Sequence, residues 1–411
     1  MPNTLVGPTL ADFQHARERV SAVAEVTPME SSRYLAELLG SPVYLKCENL
    51  QRTGSYKIRG AYNRLSRLTA EEQAAGVVAA SAGNHAQGVA FAARELGIAA
   101  TIFMPLGVAL PKLQATKGYG AQVVLRGHSV AEPLRAAAEH ARTTGAVFIH
   151  PFDHADVVAG QGTVGLEILD QRPDVDTVVV PIGGGGLISG VASAIKQRAA
   201  LEGRTVRIIG VQAANASPYP ISLRNGVATE ITMLPTIADG IAVSKPGELN
   251  FEIVREMVDE IVTVSEDDIA QSLLILLERA KLVVEPAGAV GVAAILSGQV
   301  RASGTTVVIL SGGNIDPLMM ERVISHGLAA SERYLKLRIP LPDRPGQLAR
   351  TAAIIAEANA NVVEVLHSRH GSGLQISQVE LELHIETRGP EHAEEVLERL
   401  RDEGYEPRID F

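Results

Sequence analysis

The first 330 residues alternate short Val- and Ile-rich runs with Ala-rich helical stretches, and that rhythm leaves few architectures open. Strands separated by helices are built into parallel sheets with the helices packed on their faces. Residues 76–81, 100–105, 121–125, 177–182, 206–212 and 305–311 read as strands, and 86–96, 112–117 and 187–200 as helices. The chain has no Trp, seven Phe and eight Tyr, so Ala, Val, Leu and Ile must fill the core. At 411 residues it exceeds the length at which a single core stops growing, which implies two or three domains.

Past residue 330 the pattern changes. Residues 328–333 look like a linker, and 334–341 read as a strand. Asp343-Arg344-Pro345-Gly346 opens a helix with a polar cap and an early proline. Residues 361–368 form a second strand. Residues 378–386 alternate strictly, with Val379, Leu381, Leu383 and Ile385 on one face and Glu380, Glu382, His384 and Glu386 on the other. That is a half-buried antiparallel strand. Residues 390–403 make an amphipathic helix and 405–410 a last strand. The order β-α-β-β-α-β is ferredoxin-like. The expected domains are therefore 1–330, with a smaller lobe over roughly 50–150, and 331–411.

Lys and Arg number 37 against 47 Asp and Glu, a formal charge of −10 that argues against nucleic acid or an anionic membrane as partner. The single cysteine, Cys47, excludes an intrachain disulfide and a Cys-based metal cluster and fits a reducing cytoplasm. No apolar stretch reaches membrane-spanning length, and no basic-then-apolar leader is seen.

Three segments carry chemistry. Lys57 follows the turn-rich Thr53-Gly54-Ser55 and precedes a helical run. Near a helix start and screened from water, its amine should have a lowered pKa and act as a nucleophile, with the Tyr56 ring helping to enclose a flat ligand. Gly183-Gly184-Gly185-Gly186 lies between a strand and a helix, where consecutive glycines let several N–H groups point at one anion. The dinucleotide spacing G-x-G-x-x-G fails here, because Ile188 and Ser189 stand where its third glycine would fall, and no Gly-Lys-Ser/Thr loop exists. A single phosphate is the better guest. Ser311-Gly312-Gly313-Asn314 ends a strand and places the Ser311 hydroxyl at the carboxyl edge, where it offers a ring nitrogen a neutral partner. Amine, anion cradle and neutral hydroxyl suit a phosphorylated aldehyde held as a Schiff base. His150 and His154 flank a proline that disfavours a helical pair, so no metal site is assigned. His85 reads either as a general base or as a hydrogen-bonded loop histidine.

Together with Lys46-Cys47-Glu48-Asn49-Leu50-Gln51, Ser81-Ala82-Gly83-Asn84-His85, Gly160-Gln161-Gly162-Thr163, Thr236-Ile237-Ala238-Asp239-Gly240 and Glu285-Pro286-Ala287-Gly288, these segments resemble the fold-type II pyridoxal-phosphate enzymes. Most closely they resemble the threonine ammonia-lyase (threonine dehydratase) family. The resemblance implies a two-lobed, tryptophan synthase β-like α/β catalytic unit that binds pyridoxal 5′-phosphate. It makes Lys57 the Schiff-base lysine, Asn84 the partner of the cofactor's 3-hydroxyl, and Gly183, Gly184, Gly185, Gly186 and Leu187 the phosphate loop. Ser311 then faces the pyridine nitrogen, and Ser81, Ala82, Gly83, Asn84 and His85 receive the substrate carboxylate. Tyr56 stands where relatives often carry Phe.

The implied reaction takes L-threonine to 2-oxobutanoate and ammonia, with L-serine to pyruvate as a lesser activity. Serine racemases of the same fold usually carry a hydroxyl residue where this chain has Ala82, and a metal-binding carboxylate where Gln212 falls. A racemase and a catalytically idle amino-acid sensor are the alternatives. The C-terminal module resembles an ACT domain, whose loop would place Asp343 and Gly346 at a site for an amino-acid effector, isoleucine or valine. A passive dimerisation module is the other reading of it. Both units imply a homo-oligomer.

Overall fold

The computed structural model describes residues 7–128, 131–369 and 377–409, the side chain of Ala330 apart. The chain divides into two units, Met1–Pro317 and Leu318–Phe411.

The first unit holds two sheets. The larger has the strand order Met29–Ser31, Val43–Lys46, Thr305–Ile309, Val175–Pro181, Arg207–Ala213, Glu260–Val264. Its first pair is antiparallel and every other pairing is parallel. The smaller sheet is wholly parallel in the order Gln122–Leu125, Ala100–Met104, Val77–Ala80, Val147–Phe148. Its strands, between Val77 and Phe148, make up a small lobe. Strands such as Val175–Pro181 are buried on both faces, as their unbroken apolar runs require. Aliphatic side chains do fill these cores: Val178, Val180, Ile182, Ile188, Val191 and Ile208 under the large sheet are fully buried.

Helix Lys57–Leu65 lies against helix Ala155–Gln171 at a glycine crossing. A Cβ on Gly160 would stand 2.6 Å from the Arg59 carbonyl oxygen, so only glycine permits that approach. The amide of Gly60 donates to Gln161 Oε1 at 3.1 Å and fixes the register. Below this crossing lies a buried ion network. Arg59, 1% exposed, donates to Glu48 Oε2 at 2.8 Å, to Glu48 Oε1 at 2.8 Å and to Glu167 Oε1 at 2.5 Å. Lys46 Nζ, fully buried, reaches Glu167 Oε2 at 2.7 Å and Gln171 Oε1 at 2.9 Å. Burial alone would lower the Arg59 pKa, but the carboxylates of Glu48 and Glu167 outweigh it and raise it.

The second unit begins at the second residue of helix Pro317–Ala330. Residues 328–330, read above as linker, are its last turn, and the chain leaves helical conformation only at Ser331. The remainder is the expected ferredoxin-like sheet, Asn361–Ser368, Gln378–Glu386, Tyr334–Pro342, Arg408–Ile409 in spatial order, all antiparallel. Val379, Leu381, Leu383 and Ile385 are buried beneath two helices, Gln347–Glu357 and Pro390–Asp402. Asp343 does not cap the first of these. The helix starts after Gly346, whose φ of 91° turns the chain into it, and Asp343 instead pairs with Arg369 at 3.3 Å. The last strand is shorter than read, and Asp410 lies outside the described residues.

Removing Arg59 leaves Glu48 without its cation and Glu167 with Lys46 alone. Arg59→Ala is expected to destabilise the protein by about 3–5 kcal/mol, measured as a lowered midpoint in urea unfolding; a change under about 1 kcal/mol would mean the network contributes little.

Candidate active site

Strands Val77–Ala80, Val175–Pro181 and Thr305–Ile309 all end at one cavity of about 280 Å³, at the carboxyl edge where α/β sheets place ligands. Lys57, Ser81, Ala82, Gly83, Asn84, His85, Leu187 and Ser311 line it, with Tyr56 beside them. The glycine run lines an adjoining recess that shares Tyr56, Lys57, Phe152 and Leu187 with the main cavity. Lys57, Tyr56, the loop 81–85, the glycine run with Leu187, and Ser311 thus come together, whereas His150, His154 and Gln212 lie outside both linings.

Lys57 is the first residue of its helix, and its Nζ donates to the Pro151 carbonyl at 3.1 Å. The ammonium stands 5.2 Å from the centre of the Tyr56 ring. The loop that carries it is bound to the Ser311 loop: Tyr56 N donates to Ser311 O at 3.2 Å and Gly313 N to Gly54 O at 2.8 Å. Burial pushes the Lys57 amine down to about 8, against the opposing pull of the Glu285 carboxylate. Burial likewise pushes Glu285 up to about 7.

The glycine cradle is held from outside. Three donors take the Gly184 carbonyl: Gly247 N at 3.0 Å, Tyr219 Oη at 3.2 Å and Asn250 Nδ2 at 3.2 Å. Among the described residues the amides of Gly183, Gly184 and Gly185 have no protein acceptor, and the helix Gly186–Leu201 starts at once with free N–H groups of its own. Gly185 has φ of 102°, and a Cβ there would collide with the Tyr219 hydroxyl. Buried N–H groups without partners are costly unless an anion takes them, so the cradle fits a phosphate. Ser311, 3% exposed, lines the same cavity.

His85 is buried with Nε2 at 2.9 Å from the Ile149 carbonyl, which requires a proton on Nε2. Burial and the Lys57 charge push its pKa down to about 3, so at physiological pH it is neutral and a weak proton acceptor. His150 Nδ1 accepts from the Asp153 amide at 2.8 Å, and His154 Nδ1 caps helix Ala155–Gln171 by accepting from Asp156 N at 3.1 Å. Both histidines are occupied by the backbone. Gln212, buried, accepts from the Tyr219 amide at 3.1 Å and so supports the wall of the cradle.

The sequence reading assigned no role to Glu285, Asn314, Lys112 or Asp239. Glu285, Lys112 and Asp239 line the cavity, and Lys112 from the small lobe meets Asp239 from the large lobe at 2.8 Å. Asp239, Glu285 and Asn314 lie in motifs already quoted, and an acidic residue beside an anion cradle was the available signal.

A half-buried lysine of lowered pKa facing a glycine cradle and a neutral hydroxyl, between two parallel-sheet lobes, defines a carbonyl-cofactor enzyme of the fold-type II class. The family model described as "Pyridoxal-phosphate dependent enzyme" matches residues 20–312, and the ACT domain model matches 337–404. The chain is 49% identical to the L-threonine ammonia-lyase of Thermotoga maritima over 401 residues, covering 98% of this chain and 99% of that one. Among solved structures, threonine deaminase isoform 2 of Solanum lycopersicum is 36% identical with a TM-score of 0.72, covering 78% of this chain and 96% of its own. Maize serine racemase is 35% identical with a TM-score of 0.71, over 79% and 99%. The chain belongs to the pyridoxal-phosphate-dependent enzyme family, and carries an ACT domain at its C-terminal end. Its cofactor is pyridoxal 5′-phosphate.

With its pKa near 8 rather than 10.5, Lys57 gains its reactive neutral form about two units below an ordinary lysine. The rate at which the apoprotein takes up pyridoxal 5′-phosphate should therefore rise with pH and level off just above 8, as stopped-flow absorbance would show. A rise continuing past pH 10 would contradict the lowered pKa.

Proposed function

We propose that this protein is a threonine ammonia-lyase, converting L-threonine to 2-oxobutanoate and ammonia, with L-serine to pyruvate as a lesser activity. The observation that carries this reading is Lys57: a single amine of lowered pKa at a helix start, facing an anion cradle. The relative named for this reaction covers nearly the whole chain. When bound, the cofactor supplies an electron sink for the α-carbon.

The chain's own residues supply the rest. Lys57 would anchor the cofactor through its Nζ, and the same amine, when free and neutral, would serve as the base that takes the substrate's α-proton. Residues Ser81, Ala82, Gly83, Asn84 and His85, at the start of helix Asn84–Leu96, bind the substrate carboxylate through backbone N–H groups. The cradle of Gly183, Gly184, Gly185, Gly186 and Leu187 would hold the phosphate, and Asn84 would meet the 3-hydroxyl. Ser311 partners the ring nitrogen with a neutral hydroxyl, which disfavours a stored carbanion and favours prompt loss of the β-hydroxyl. The net chemistry is loss of water from threonine to an enamine, whose hydrolysis returns that water and releases ammonia. Racemisation needs a proton donor on the opposite face, and Ala82 has none to give.

Threonine and serine differ by one methyl group, which a pocket distinguishes by about 10- to 200-fold. Lys57→Ala should reduce keto-acid release from threonine by at least about a thousandfold, with both base and covalent anchor gone. Retained turnover would reject the assignment, and a wild-type protein that releases no keto acid would favour the sensor reading.

The same proposal assigns the C-terminal unit to regulation by a branched-chain amino acid, isoleucine or valine, and places the chain in a cytoplasmic homo-oligomer. Its support is local. Gly346 opens the N-terminus of helix Gln347–Glu357, a place for an effector carboxylate, and Asp343 stands in the same loop. Val363, Val365 and Leu366 are exposed on the edge strand Asn361–Ser368, whose open edge could pair with another copy. Gly346→Val forces a β-branched residue to a φ of 91° and should blunt the response to isoleucine or valine about tenfold while leaving basal kcat unchanged. An unaltered response curve would remove the effector from this loop.

A further inference from the structure

Asn84 is held by two neighbours to which the preceding reading gives no role. Asn314 Nδ2 donates to the Thr53 carbonyl at 2.8 Å and to Asn84 Oδ1 at 2.8 Å. A backbone carbonyl can only accept, so the Thr53 contact dictates which end of the Asn314 amide carries nitrogen. The second N–H of that nitrogen then needs an acceptor, which turns Asn84 Oδ1 toward Asn314 and Asn84 Nδ2 away from it. Asn84 Nδ2 donates to Glu285 Oε1 at 2.6 Å. Two of the three principal polar positions of the Asn84 amide are thereby committed, and one N–H remains. Thr53 and Glu285 are each 2% exposed, so these two acceptors have little contact with bulk water. Gly312 leaves the room: a Cβ there would stand 3.0 Å from Asn84 Nδ2 and would strike Glu285.

We propose that Asn314 and Glu285 are positioning residues that hold the Asn84 amide from opposite ends, so that its one uncommitted N–H serves the cavity as a donor to the cofactor oxygen beside the aldehyde. This rests on the assignment of Asn84 to that oxygen. An unsupported amide could turn over and present its own oxygen, which repels an anionic acceptor. The chain from the Thr53 carbonyl through Asn314 forbids that turn, and the carboxylate completes it.

The full-length apoprotein titrated with pyridoxal 5′-phosphate, with Kd read from absorbance, tests this without reference to turnover. Asn84→Ala and Asn314→Ala should each weaken cofactor binding about tenfold, the effect of one hydrogen bond to a charged group. In the Asn84→Ala background, Asn314→Ala should change Kd by less than about twofold, because residues acting through one another are not additive. Asn314→Asp keeps the shape but loses the donor, and should match Asn314→Ala. Glu285→Gln keeps an acceptor oxygen and should stay within about threefold of wild type, where Glu285→Ala loses about tenfold. Equal losses from Asn314→Ala in both backgrounds, or no loss in the wild-type background, overturn the proposal while leaving the cofactor site intact. An unchanged Kd in Asn84→Ala, or a wild-type apoprotein that binds no cofactor, overturns the underlying assignment and the proposal with it.

Discussion

Arg59 sits two residues beyond the reactive lysine, in the same helical turn, with its guanidinium enclosed by Glu48 and Glu167 and its neighbour Lys46 bonded to Glu167 from the other side. Two cations and two carboxylates make a neutral set with no water to screen it. Removing any member leaves an uncompensated charge in the interior, which costs far more than a surface pair contributes. The members come from strand Val43–Lys46, the turn Glu48–Leu50, helix Lys57–Leu65 and helix Ala155–Gln171. Those four segments surround the lysine's base. A conformational shift of the Lys57 helix would have to break the Arg59 bonds to Glu48 and Glu167, so the network fixes where the amine enters the cavity.

The geometry above that base is set by strand ends. Local signals made much of it legible: the glycine run, the lysine after Thr53-Gly54-Ser55, and the serine after an apolar strand each mark a position by themselves. The parallel rhythm and the strict alternation over Gln378–Glu386 were equally readable, since burial on two faces or one writes its own period. Glu285 and Asn314 were not, because their roles depend on contacts with Asn84 across 201 and 230 residues. No local pattern encodes such a separation. His85 was legible only as a pair of alternatives, and the Ile149 carbonyl, 64 residues away, decides between them.

Two of the errors of reading in the C-terminal unit have local causes. Residues 328–333 mix Ala with polar residues, which suits a linker or a helix end equally, and the helix that begins at Pro317 extends through Ala330. At 343–346 the sequence carries a capping residue and a proline in the order that begins many helices. A glycine with positive φ takes the cap position instead, and that frees Asp343 for its pair with Arg369. Cap preference describes an average over helices, and the backbone turn required to leave strand Tyr334–Pro342 prevailed here.

Four helices begin at the cavity: Lys57–Leu65, Asn84–Leu96, Gly186–Leu201 and Pro286–Leu296. Each brings the positive end of its dipole and free N–H groups to the same small volume. Such a field favours a phosphate and a substrate carboxylate, and it works in the same direction as burial on Lys57, against the ammonium and for the neutral amine. Glu285, the residue before the fourth helix, is the buried carboxyl in this field, and burial holds it near neutrality. An ionised Glu285 would steady the lysine's charge and oppose its release as a base. A neutral one removes that restraint and still accepts the Asn84 N–H through its carbonyl oxygen. The site therefore needs few charged side chains of its own, because the helix ends supply the positive potential and one carboxyl near its titration point adjusts it.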